Sequence, residues 1–181
     1  MGAAPGPGRL TWRDLLALVP FFLLSAVAAG WTIWEQRYHS GAEGEAWNQS
    51  LLERALIAGR VVWFYLGKLV WPEPLIFIYP RWTVAAGDVW AYVAPLGLLA
   101  TLGVLVGWRQ QRANAALLLA GAFFVALLFP VMGFFNVYFF RYSFVGDHFQ
   151  YLASIGPCAL AGAGLAQLRP SVQRWVGTVL L

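Results

Sequence analysis

The chain has 181 residues, 60% of them hydrophobic and 11% charged, with a mean hydropathy of +0.65. A soluble domain of this length cannot bury so much apolar surface, so its solvent is largely lipid. A net charge of +4, from 12 basic and 8 acidic side chains spread between apolar runs, excludes a nucleic-acid footprint, and the single cysteine, Cys158, excludes an intrachain disulfide.

In chain order, residues 1–8 (MGAAPGPG) read as a disordered leader, and 9–181 as a partial transmembrane domain. A span needs about 20 apolar residues, and residues 15–34 supply the first. Arg9, Arg13 and the Ala26-Val27-Ala28 triplet would also suit a cleaved signal peptide, but the apolar run continues to Trp34 and further spans follow. Residues 49–71 read as an amphipathic or short fifth helix. On a helical wheel Gln49, Ser50, Glu53, Arg54, Arg60 and Lys68 fall within roughly 140°, interrupted by Ile57 and Phe64. The following WPEPLIFIYPRW, residues 71–82, is extended because Pro72, Pro74 and Pro80 each disfavour helix at the residue before them. Further spans are expected at 89–108, 115–135 and 149–168. In the last, Ala159/Ala163 and Gly162/Ala166 recur at four-residue spacing, which suits an inner helix in close helix contact. The apolar run Trp175–Leu181 is too short to span and reads as a truncated terminal helix. The fold class is therefore all-α, a polytopic membrane helix bundle with four full spans.

Topology follows from the basic residues. If 55–71 does not cross, Arg9/Arg13, Arg109/Arg112 and Arg169/Arg174 share the cytoplasmic side, and Glu35, Glu43 and Glu45 lie outside. If it crosses, Arg109 and Arg112 move outside. The positive-inside bias favours the four-span reading, which puts Asp147-His148 at the external mouth of the last helix.

Two polar groups stand out in a chain this apolar. Asp147 and His148, in YSFVGDHFQYLASIG, serve either as interfacial caps of a helix starting near Phe149 or, with Arg141, Tyr142 and Tyr151, as a phosphate site. Arg60, Lys68 and Arg81 serve either as snorkelling anchors beside Trp63, Trp71 and Trp82 or as a grip on an anionic lipid head group. Asn48-Gln49-Ser50 matches a glycosylation triplet that arises often by chance. His39 and His148 are the only histidines, too few for a protein-only metal site. No glycine-rich phosphate loop, nucleophile triad or internal repeat is present, and no cofactor is expected.

Three blocks, Asp147–Gly156 (DHFQYLASIG), Phe64–Pro72 (FYLGKLVWP) and Ile78–Trp82 (IYPRW), resemble the membrane part of bacterial tetratricopeptide-repeat membrane proteins. Those proteins look like relatives of the transmembrane and tetratricopeptide-repeat-containing O-mannosyltransferases. The resemblance implies a C-type glycosyltransferase in the bacterial inner membrane. Such an enzyme transfers a sugar from a polyprenyl-phosphate carrier, often to a protein hydroxyl, on the external face. It also implies that the N-terminal helices bearing the family's acidic catalytic motif, and the C-terminal repeats, lie outside this chain. Such a chain, whether a fragment, a truncated reading frame or one component of a split protein, would contribute carrier or acceptor binding and be inactive alone. Arg141, Tyr142, Asp147, His148 and Tyr151 are its candidate site, with Arg60, Lys68 and Arg81 as a second set; no general-base role passes to Asp147. Gly146 and Ala153 stand where relatives often carry alanine and proline. The rival readings are a small membrane transporter, using Asp147-His148 as a relay, and a non-catalytic scaffold.

Overall fold

A computed structural model describes residues 11–167, so the leader, Arg9, Arg169, Arg174 and the run Trp175–Leu181 lie outside it. The described residues are helical, with no strand: α1 Trp12–Tyr38, α2 Leu51–Val70, α3 Val93–Gly107, α4 Arg112–Leu128 and α5 Ile155–Ala166. Short 3-10 turns precede α3 at Val89–Tyr92 and extend α4 at Phe129–Val131. Three helical stretches are long and apolar enough to cross a membrane: Trp12–Tyr38, Val89–Gly107 and Arg112–Val131.

α1 and α2 each start with a reciprocal cap. Thr11 and Asp14 exchange side-chain and backbone hydrogen bonds at the start of α1, and Ser50 and Glu53 do the same for α2. Ser50 of the glycosylation triplet is thus a helix cap. The α2 wheel reading holds only in part, because Ile57 interrupts the polar face for a reason: it is buried, with Val61 and Tyr65 one and two turns on. Around them Phe124, Leu128, Met132, Phe140, Phe144, Val145 and Ala153 complete the core. α2 is therefore the centre of the molecule, flanked by the top of α3 and the end of α4.

The fourth expected span is not seen as one helix among the described residues. Asp147–Gln150 forms a 3-10 turn, residues 151–154 turn again, and α5 begins only at Ile155; its 12 residues are short of a span. Gln150 and Ala153 are buried in the core, so part of the run's apolar character serves packing against protein. Among the described residues α5 packs against α4 but has no buried residue. Its close contact with α4 is made by Gly156, where a Cβ would lie 2.9 Å from the Ala120 carbonyl oxygen, whereas a Cβ at Gly162 would meet nothing within 4 Å.

Candidate functional site

The residues singled out from the sequence fall into three places. Arg141, Tyr142 and Tyr151 are exposed, and the Tyr142 hydroxyl lies 3.5 Å from that of Tyr138. No hydrogen bond or ion pair joins Arg141 to Asp147 or His148.

Asp147 and His148 turn instead toward the extended segment after α2. The Tyr79 hydroxyl lies 2.9 and 3.0 Å from the two Asp147 carboxylate oxygens and 2.8 Å from the Pro74 carbonyl, and it accepts the Ile76 N–H at 3.3 Å. A phenol has one proton for two competing acceptors. The Pro74 carbonyl already receives Lys68 Nζ, whereas Asp147 has no other donor, so the proton is best spent on the carboxylate. Asp147 is accordingly no cap: α5 starts eight residues later, behind Ser154, and Ser154 makes no side-chain capping bond. Lys68, Pro74, Tyr79 and Asp147 form one polar chain, and the Lys68 ammonium also lies over the Phe64 and Tyr79 rings at 5.7 and 5.1 Å.

His148 is held by rings. It stacks on Phe77 at 4.6 Å and meets Phe139 edge-on at 5.5 Å, and its Nδ1 is buried without a partner. Gly146 makes room for it: a Cβ there would fall 2.9 Å from His148 Cε1 and 3.2 Å from Phe139 Cζ. Alanine at this position would push on the imidazole. Beneath lies Tyr65, fully buried, whose hydroxyl donates to the Gly146 carbonyl and accepts the Gly146 N–H, both at 3.0 Å. Burial pushes its phenol well above the ordinary value, so it stays protonated. Tyr79→Phe removes the only donor among the described residues to a half-buried carboxylate, and a loss of about 2 kcal/mol is expected in denaturant titration of the purified protein. Tyr79→Phe combined with Asp147→Asn should recover part of that loss.

The remaining cations part company. Arg81 donates from Nε to the Phe140 carbonyl at 2.8 Å and from Nη2 to the Ala46 carbonyl, with its guanidinium 4.7 Å from the Phe144 ring centre. It is a structural pin, with two of its five N–H donors spent on backbone carbonyls. Arg60 is different. It is exposed, lies 4.4 Å over the Trp82 ring and makes no hydrogen bond or ion pair among the described residues. It lines an open cleft of about 580 Å³ with Leu56, Trp63, Val84, Asp88 and Trp90. Trp63 is fixed by donating its indole N–H to the Ala94 carbonyl at 2.9 Å, and one Asp88 carboxylate oxygen accepts the Trp90 N–H at 3.0 Å, which leaves the other oxygen and the negative charge in the cleft.

Sequence reasoning missed Arg54. Its guanidinium donates to the carbonyls of Trp47 (2.7 Å), Gly133 (2.8 Å), Phe134 (3.2 Å) and Gln49 (3.2 Å) and to Asn136 Oδ1 (2.8 Å). Burial pulls its pKa down, but a guanidinium keeps its proton. No local signal marks it, because three of these partners lie 79 to 82 residues away. Among the described residues no group of three or more His, Cys, Asp or Glu side chains is placed to hold a metal ion.

No protein-family model matches this chain, and neither a curated protein nor a solved structure matches it.

Proposed function

We propose that this chain binds a phosphate-bearing lipid at the membrane surface, as the carrier-binding part of a polyprenyl-phosphate-sugar-dependent glycosyltransferase on the external face of a bacterial inner membrane. One observation carries the binding half of this reading: Arg60 presents an unpaired guanidinium, braced on Trp82, into a cleft where α2 meets the start of α3. A guanidinium fits phosphate through paired donors, and aromatic bracing leaves its in-plane donors free. The sugar-transfer half rests on the three resembled sequence blocks. In that role Arg60 would neutralise the departing carrier phosphate, which lowers the barrier to transfer. Because Asp147 is tied to Tyr79 and Arg81 to backbone carbonyls, phosphate binding centres on Arg60 rather than on Asp147-His148.

The experiment is a binding titration of the reconstituted full chain with a short-chain polyprenyl phosphate and with the matching uncharged alcohol. The phosphate should bind more tightly, and Arg60→Ala should weaken it about tenfold, close to 1.4 kcal/mol, without changing alcohol binding. Equal binding of the two lipids, or an unaffected Arg60→Ala variant, would remove the reading.

A further inference from the structure

The depth of α2 is fixed by its neighbours. Gly59 packs on Pro95, where a Cβ would fall 2.7 Å from the proline Cβ, and Trp63 bonds the Ala94 carbonyl. On its other side the α2 core residues share a cluster with Phe124, Leu128 and Met132. α2 therefore lies beside the first turns of the Val89–Gly107 stretch and the last turns of the Arg112–Val131 stretch. Those stretches have 19 and 20 residues, or about 28 and 30 Å at 1.5 Å per residue. A hydrocarbon core is about 30 Å thick, so neither stretch has a turn to spare above it. What packs against their ends is level with the edge of the bilayer.

The segment that follows α2 folds back along it. Tyr79 sits over Lys68, and Phe64 meets both Tyr79 and Trp82, which in turn lies under Arg60. At the bend, residues 71–78 expose Trp71 (70%), Leu75 (58%), Phe77 (65%) and Ile78 (49%). Water gives four large apolar side chains in one short segment no reason to face outward. The backbone beneath them is adapted to a less polar medium. Pro72, Pro74 and Pro80 carry no N–H, the Trp71 N–H is bonded to the Gly67 carbonyl at 2.8 Å, the Ile76 N–H to Tyr79, and the Pro74 carbonyl accepts Lys68. The unbonded N–H groups and the exposed Glu73 carboxylate set the limit of insertion, since irregular backbone does not enter the hydrocarbon facing lipid.

We infer that residues 71–78 are a lipid-inserting anchor: their apolar side chains enter the acyl boundary of the leaflet in which α3 begins, with Glu73 left among the head groups. The partner is the bilayer itself, and no particular head group is required. This anchor is independent of phosphate recognition at Arg60.

The test places single nitroxide labels at Leu75→Cys and Ile78→Cys, in a Cys158→Ser background, on the full chain in phosphatidylcholine vesicles. Glu43→Cys serves as the aqueous reference. Collisions with dissolved oxygen should dominate at 75 and 78, and collisions with a water-soluble nickel chelate at 43. Nickel access at 75 and 78 equal to that at 43 would overturn the inference, as would exclusion of both reagents, which would mean that protein covers the segment. Two labelled positions, each checked for native helical content, guard against one that disturbs the fold.

Discussion

Arg54→Ala is expected to be among the most damaging single substitutions outside the cleft, at about 3 kcal/mol. Five acceptors converge on this guanidinium, from the 46–49 turn and the 133–136 loop, and truncation leaves partly buried carbonyls without donors while opening a void in which to leave them. The two loops it joins also carry the Trp47 indole bond to the Val137 carbonyl at 2.9 Å and the Asn136 amide bond to the Ala42 carbonyl at 3.2 Å, so they should loosen together. Arg54→Lys should recover little, because an ammonium cannot present a planar fork to acceptors in several directions. The measurement is unfolding of the purified protein in mixed micelles by denaturing detergent, followed by tryptophan fluorescence. A loss under about 1 kcal/mol for Arg54→Ala would show that water replaces the guanidinium.

Gly59→Val should come next, at roughly 2–3 kcal/mol, by a different route. A Cβ at Gly59 would meet Pro95 at 2.7 Å from its Cβ, 2.8 Å from its Cα and 2.9 Å from its N. None of these atoms belongs to a flexible side chain that can swing aside, and the proline ring adds rigidity, so α2 and α3 must separate. Gly67→Ala on the same helix, where nothing lies within 4 Å, is the control and should be neutral or slightly stabilising. If both variants unfold at the wild-type midpoint, the α2–α3 contact is looser than the geometry requires.

The three long apolar stretches and the α2 boundaries were legible because each is a local pattern, repeated over four or more turns. The stretch from Phe149 was not, because hydropathy counts apolar side chains without saying what covers them. Gln150 and Ala153 pack on protein, so the helix expected from Phe149 starts at Ile155. The Asp147-His148 pair was rightly noticed as an oddity in an apolar chain, but its partners Tyr79 and Phe77 lie about 70 residues upstream, and no spacing rule connects them. One signal was available and unused: Ser50-x-x-Glu53 is a capping box, and it marks where α2 begins.

α1 has no buried residue along its 27 positions, and its link to the rest is at its far end, where the Gln36 side-chain oxygen accepts the Tyr138 N–H at 2.9 Å. A helix with free sides takes its tilt from the thickness of the bilayer rather than from the fold around it. Thinning the membrane lays such a helix down and swings its end sideways. That end holds the backbone next to Phe139, the ring that stands edge-on to His148. The Gln36–Tyr138 bond is thus a contact through which a change in α1 tilt would reach the ring beside His148.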